Sequence, residues 1–349
     1  MAFFYSFFLL FLVHNSYASQ PLCIEIADRL DKKIWDIKTK DGTDLKYILK
    51  SGTENPDSKI GCYAANKDSY FVFSELFNNV VELYHHKDPL KTFQYFNTNP
   101  DKLNVLSDKV KNTVISTRIR VIRNLSSFNF PAKMTKKDRI DSENIIVSIF
   151  DSFEGDLKGK YYSLSKLSDE EKDMLTKEHL LFQDLTTDKY LTSAGIADDY
   201  PVGRGIFISN DKHLAIWVNE EDHLRITSIY EGYDFYNALK KIDLASKYLQ
   251  KKLSFAIDKN LGYLASCPTN IGTGMRASIM VDYPKINNSN LTDYKNKFKE
   301  IGLQIRGANG ENSSQHTGIY DISNSIRLGK TEVELINDLN SKLIDNNII

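Results

Sequence analysis

After residue 113 the chain alternates short β-branched and aromatic runs with amphipathic stretches. Their spacing is too irregular for a doubly wound parallel sheet. The runs at 204–210, 214–219, 225–230, 277–283 and 319–323 read as strands. Between them, 139–153 reads as a helix burying Ile145, Ile146, Ile149 and Phe150. A second, 234–254, places Phe235, Leu239, Ile242, Leu249 and Leu253 on one side. Ser168 with Glu171 and Thr331 with Glu334 are capping boxes that predict two further helix starts. Upstream, Phe71, Leu76, Phe77, Val80, Val81 and Tyr84 recur at helical spacing, and 22–95 reads as mostly helical. Residues 87–113 are polar and patternless, as a linker or long loop would be. The pattern predicts an α+β protein, a small helical domain followed by a larger mixed one, and 349 residues suffice for both.

Basic residues number 45 and acidic residues 46, so no bulk positive field exists to hold nucleic acid or an anionic membrane. An anion must be held by a local cluster. Lys outnumbers Arg by 35 to 10, so a generic positive charge is usually Lys here. Each arginine is therefore a candidate for a site needing the planar five-donor fork that grips phosphate or carboxylate.

Residues 1–24 contain no Asp, Glu, Lys or Arg, and the apolar run 3–13 is too short to span a bilayer. Small residues at Ser16 and Ala18 fit cleavage after Ala18, so 1–18 reads as a signal peptide, although it lacks a positive n-region. Such a leader implies the secretory pathway or the exterior; without it the protein is cytoplasmic. Cys23, Cys62 and Cys267 are too few and scattered for a disulfide framework, and an odd count leaves one thiol unpaired. Sequons begin at Asn124, Asn287, Asn290 and Asn312.

Four segments carry chemistry. In Cys267-Pro-Thr-Asn-Ile-Gly-Thr-Gly-Met-Arg276, Thr269 and Arg276 can lower the thiol pKa, and the glycines allow backbone amides to approach an anion. The alternative is a buried inert Cys. Asn219-Glu-Glu-Asp-His-Leu-Arg225 sets three carboxylates at a strand end, where burial near Trp217 requires a metal or a guanidinium. The alternative there is a solvated turn. Ser116-Thr-Arg118-Ile-Arg120 alternates like a strand, with both arginines on one face. Arg306-Gly-Ala-Asn-Gly-Glu311 is an arginine entering a flexible loop that ends in a carboxylate. Arg118, Arg120, Arg225, Arg276 and Arg306 together suit a nucleotide polyphosphate, although no Walker A or kinase glycine loop is present. The residues alone reach a phosphoryl-binding arginine cage with a thiol and acids beside it.

The 267–278 segment closely resembles the signature of the phosphagen (guanidino) kinases, and 219–225, 116–120 and Tyr320-Asp-Ile-Ser-Asn324 match further motifs in order. The resemblance runs from about residue 22 to the C-terminus and is strongest to the arginine kinases. It implies a helical guanidino-specificity domain at 19–95, a linker at 96–113, and a catalytic domain at 114–349. In that fold an antiparallel sheet is flanked by helices. The implied reaction is reversible transfer of the γ-phosphoryl of MgATP to a guanidine, giving ADP and a phosphoguanidine. Magnesium rides on the nucleotide, so the chain itself has no metal site.

By resemblance, Arg118, Arg120, Arg225, Arg276 and Arg306 hold the phosphates with Ser116, and their strand neighbours Thr117, Ile119, Ala277, Ser278, Ile279 and Met280 belong to the same site. His179 lies against the base, and Gly307, Ala308, Asn309 and Gly310 form the loop over the nucleotide. Glu221, Glu311 and Cys267 are the implied catalytic and guanidinium-gripping groups. The loop 57–63 implies guanidino-acid contacts through Ser58, Ile60, Gly61 and Tyr63. Its length and Glu311 favour L-arginine over taurocyamine and other guanidines. A secreted, non-catalytic nucleotide-binding member is the alternative from another class. Departures from the family pattern are Lys59 for Gly, Lys189 for an Arg that pairs with Asp57, Tyr200 for Trp, and Met280 and Asn312 for His. The oligomeric state is not encoded legibly, and a monomer is the expectation.

Overall fold

The N-terminal helices are short and held by tertiary contacts rather than by length. They are α1 (Leu22–Ala27), α2 (Leu45–Glu54), α3 (Ser69–Val72) and α4 (Ser74–His85). Asp44 caps α2 by accepting the Tyr47 N–H. Ile48, Leu49, Leu76, Phe77, Val80 and Val81 fill their common core. Phe71, expected inward, is exposed, because the chain turns at Phe73 between α3 and α4 and Phe73 takes the buried position. The computed structural model describes residues 20–104, 111–178, 180–181, 184–282, 291–307 and 318–345. The leader 1–18, His179, Ala308, Asn309, Gly310, Glu311, Asn312 and the sequons at Asn287 and Asn290 lie outside the described residues.

The cysteines correct one expectation. Cys23 and Cys62 form a disulfide, with their Cα atoms 5.9 Å apart, and Cys267 is the free thiol. Thirty-nine residues separate the pair, yet α1 lies against the chain before Cys62: Leu22 and Cys23 donate backbone N–H groups to the Lys59 and Ile60 carbonyls.

The larger part is an eight-stranded antiparallel sheet. Its strands are β1 (Val114–Arg123), β2 (Gly159–Ser163), β3 (Gly205–Ser209), β4 (Leu214–Val218), β5 (Leu224–Glu231), β8 (Met275–Asp282), β9 (Leu303–Gly307) and β10 (Ile319–Asn324). They lie in the order β2-β3-β4-β5-β1-β8-β10-β9, while β6 (Ile257–Asp258) and β7 (Gly262–Tyr263) form a separate ribbon. Interleaved helices are α5 (Lys136–Phe150), α6 (Asp169–Lys177), α7 (Lys189–Ser193), α8 (Phe235–Gln250), α9 (Leu291–Glu300) and α10 (Glu332–Asp345). Both capping boxes form at the starts of α6 and α10.

One face of the sheet is apolar and covered by α5, α8, α9 and α10. Ile119, Val121, Ile226, Ile279, Val281 and Ile322 meet Ile146, Leu239, Ile242, Phe298 and Leu339 there. Ile145 is exposed, so the buried stripe of α5 is narrower than the pattern suggested. The helical domain abuts the other face: Ile122 of β1 is buried in that domain's core together with Leu264, Ala265 and Ile271.

Candidate active site

Residues opposite each other in antiparallel strands share a face of the sheet. Arg120 lies opposite Arg276, Arg118 opposite Ser278, and Ser116 opposite Met280. Met280 then lies opposite Asp321, and Asp321 opposite Arg306. Across the other edge of β1, Ile122 lies opposite Arg225, which lies opposite Trp217. The register therefore puts all five candidate arginines on one face, the one not covered by helices α5, α8, α9 and α10. Period-2 alternation sends Thr117, Ile119, Ala277 and Ile279 to the other side, where they are fully buried. Their side chains do not enter the site: the Thr117 hydroxyl donates to the Gly232 carbonyl and accepts the Asp234 N–H.

This face concentrates positive charge under partial burial. Burial, then the neighbouring Arg225 and Arg276, depresses the Arg120 pKa well below its usual range, and burial also lowers that of Arg118. Two arginines are oriented by acids. Arg225 bonds Glu220 at 2.9 Å with its guanidinium 4.9 Å from the Trp217 ring centre, and Arg276 bonds Asp321. Arg306 donates to Gln304 at 3.0 Å. The Nε atoms of Arg225 and Arg276 are buried without a partner, the arrangement expected of a site for an anion.

The acid run divides its work. Glu220 orients Arg225, while Asp222 turns inward and accepts from the Ser266 N–H at 2.7 Å and from Asn124 at 2.6 Å. Glu221 is left facing the cleft, with Arg225 at 3.7 Å and Asn270 at 3.4 Å. Burial, with Asp222 and Glu220 beside it, raises its pKa to about 7.

Cys267 bonds the Thr269 hydroxyl at 3.1 Å. Thr269 does lower the thiol pKa, as the sequence suggested, but burial and Glu221 outweigh it and push the thiol up to about 12. Gly272 also differs from expectation. A Cβ on Gly272 would lie 2.3 Å from the Arg327 carbonyl, and the Gly272 N–H donates to Leu261, so this glycine serves close backbone packing, not an anion nest.

The loop 57–63 reaches this point. Tyr63 is pushed up by burial and then by Glu221 and Cys267 beside it, and the Ala64 N–H donates to the Ser266 carbonyl at 2.7 Å. Ser58 donates its N–H to the Asn55 carbonyl, Ile60 packs against the helical core, and Gly61 is buried between Pro21 and Gly52. Lys189 bonds Asp57 at 2.6 Å, so the charge pair forms without the arginine fork, and Tyr190 adds a bond at 3.1 Å. Tyr200 stands 5.8 Å from the Arg204 guanidinium.

Three supporting residues gave no recognised signal in the sequence. Arg327 is buried and donates to the Thr269 carbonyl, and His85 of α4 bonds the Pro268 carbonyl at 3.1 Å while accepting the Arg327 N–H. Both hold the Cys267 loop. Asn124, although in a sequon, is fully buried in its bond to Asp222. Among the described residues no three His, Cys, Asp or Glu side chains cluster as metal ligands.

The ATP:guanido phosphotransferase C-terminal catalytic domain model matches residues 141–348, and that of the N-terminal domain matches 13–82. The arginine kinase Oct f 2 of Amphioctopus fangsiao is 40% identical over 317 residues, 89% of this chain and 88% of the relative. Arginine kinase of Liolophura japonica is 38% identical, with 88% and 87% covered. Among solved structures, the substrate-free duplicated taurocyamine kinase of Schistosoma mansoni superposes with a TM-score of 0.84 at 32% identity, over 94% of this chain but only 46% of that one. Lombricine kinase gives 0.84 at 29% identity, over 95% and 93%.

Proposed function

The chain belongs to the ATP:guanido phosphotransferase family, and we propose that it is an arginine kinase, moving the γ-phosphoryl of MgATP reversibly to L-arginine. The observation that carries this is the register: Arg118, Arg120, Arg225, Arg276 and Arg306 share one sheet face, bordered by Glu221 and Cys267. Phosphoryl transfer needs in-line positioning and neutralised charge more than covalent help. In this reading the five arginines hold the polyphosphate, and magnesium enters as part of the nucleotide. Glu221 and Cys267 hold the guanidinium, whose positive charge offsets the burial that keeps the thiol protonated. A guanidine nitrogen attacks the γ-phosphorus, the bond to the ADP oxygen breaks, and the nitrogen's proton passes to Glu221, whose pKa near 7 suits it as base. His179, the 308–310 loop and Glu311 complete the proposed site.

Identity to arginine kinases near 40% favours arginine over taurocyamine or lombricine. ADP release with purified residues 19–349, MgATP and a panel of L-arginine, taurocyamine, creatine and glycocyamine tests the reading. Turnover confined to arginine supports it. Turnover on another guanidine moves the specificity to Lys59 and its neighbours, and ADP binding without turnover favours a non-catalytic member. The uncharged leader and the Cys23–Cys62 bond support folding in an oxidising compartment, followed by secretion. N-terminal sequencing and sizing of the secreted protein test that part.

A further inference from the structure

The Cys23–Cys62 bond joins the first helix to the loop proposed to read the guanidino acid, and phosphoryl transfer itself makes no use of it. Cys62 lies between Gly61 and Tyr63. Both cysteines are fully buried. The loop is gripped from two sides. Leu22 and Cys23 donate to Lys59 and Ile60, while Gly52 donates to the Gly61 carbonyl and Tyr63 to that of Ile48. A Cβ on Gly61 would lie 2.5 Å from Pro21 and 2.9 Å from Gly52, so α1 and α2 close on it with no room to spare. One residue past Tyr63, Ala64 bonds Ser266, the neighbour of Cys267. A short path therefore runs from the disulfide through Tyr63 to the thiol loop. With six residues, α1 is too short to hold its place by helical stability; the buried Ile26 and Ala27, its two backbone bonds and the disulfide do so.

We propose that Cys23 and Cys62 are positioning residues for the guanidino-acid site, and that their thiol–disulfide state sets affinity for the guanidine but not for the nucleotide. The inference rests on the phosphotransferase reading. Reduction requires a dithiol: one thiolate attacks a protein sulfur to give a mixed disulfide, and the second displaces it. Cys23 and Cys62 gain two electrons and two protons, and the reductant leaves as its own disulfide. Burial of both sulfurs requires α1 to lift first, which makes exchange slow in the closed form. Linkage adds a reciprocal effect: if the bond tightens guanidine binding, bound guanidine stabilises the bond by the same factor. A tenfold ratio corresponds to about 30 mV in the potential of this two-electron couple.

The test uses the whole chain, folded under oxidising conditions, with peptide mapping under non-reducing conditions. KM for L-arginine and for MgATP is then measured before and after dithiothreitol, which leaves Cys267 the thiol it already is. Reduction is expected to raise the arginine KM roughly three- to tenfold, with kcat and the MgATP KM within about twofold. Cys23→Ser should reproduce the reduced enzyme and ignore dithiothreitol; if it does not fold, the reduced natural protein carries the test. Equal arginine KM in both forms overturns the inference, as do free Cys23 and Cys62 thiols in the active, oxidatively folded protein before any reductant is added. A joint collapse of arginine and ATP kinetics also overturns it, by reducing the bond to a general structural role. Absence of turnover on any guanidine in either form refutes the phosphotransferase reading itself, a result distinct from turnover with a redox-independent KM.

Discussion

Arg120 and Arg276 lie directly opposite each other on adjacent antiparallel strands, both partly or fully buried and both on the open face of the sheet. Like charges at such positions repel, and among the described residues Arg276 has a paired acid, Asp321, while Arg120 has none. In the proposed function, fold stability is given up here for a site that becomes balanced when polyphosphate binds.

The first prediction follows from that repulsion. Arg120→Gln should raise the stability of the nucleotide-free protein by about 0.5–1 kcal/mol while lowering turnover by about 10²–10³-fold. Arg276→Lys should also lose activity although charge is kept, because one Lys cannot bond Asp321 and a phosphate with a planar fork. Denaturant melts with and without ADP, paired with kinetics, check both. A destabilised Arg120→Gln of full activity would make Arg120 a structural residue.

The second concerns Asp57 and Lys189, which are bonded but largely exposed. Water and salt screen such a pair. Lys189→Ala is expected to change the arginine KM by less than about threefold, with the difference vanishing near 1 M salt, where screening acts over about 3 Å. A larger, salt-independent effect in steady-state kinetics would show a contact with substrate itself.

The shared face of Arg118 and Arg120 was legible in the sequence because alternation is local, as are the capping boxes, whereas bringing Arg225, Arg276 and Arg306 to that face took the register between strands. Scarcity of arginine was a weaker guide. Arg139 and Arg204 do use the fork, but mainly on backbone carbonyls: Arg139 on Pro131, Met134 and Gly195, with Asp199 at 3.2 Å, and Arg204 on Ile196, Asp198, Val202 and Asn219. Edge strands β2 and β9 are short and only half buried in places, so their patterns were faint. The Cys23–Cys62 pairing and the His85–Arg327 support depend on distant segments meeting, and nothing local records that.

The third prediction is that Cys267 is a protonated thiol in the free enzyme, since burial and Glu221 push it to about 12. Alkylation of the free enzyme near pH 8 should be slow, and Glu221→Gln should accelerate it by removing the adjacent negative charge. Cys267→Ala should lower kcat about 10²-fold with the MgATP KM little changed. Mass-spectrometric alkylation rates and initial-rate kinetics check the pair of statements. Fast labelling of the free enzyme at neutral pH would place the thiolate there before substrate.

The fourth follows from Glu221, whose pKa in the fold, about 7, lies above the ordinary glutamate value of 4.5. Native protein thus binds more protons than unfolded chain between about pH 4.5 and 7. The stability from the neutral acid is complete below that window and is lost as pH rises through it. Binding runs the other way: the guanidinium needs the carboxylate, so the arginine KM should climb as pH falls below about 7. Glu221→Gln separates the two effects. It should stabilise the substrate-free protein at pH 8 by about 1–3 kcal/mol, flatten the pH dependence of stability across the window, and abolish most turnover. Thermal melts from pH 5 to 8 on both proteins measure the first two, and ADP release measures the third. A natural protein whose stability rises over that interval would mean that Glu221 is not held as a buried acid in wait for a cation.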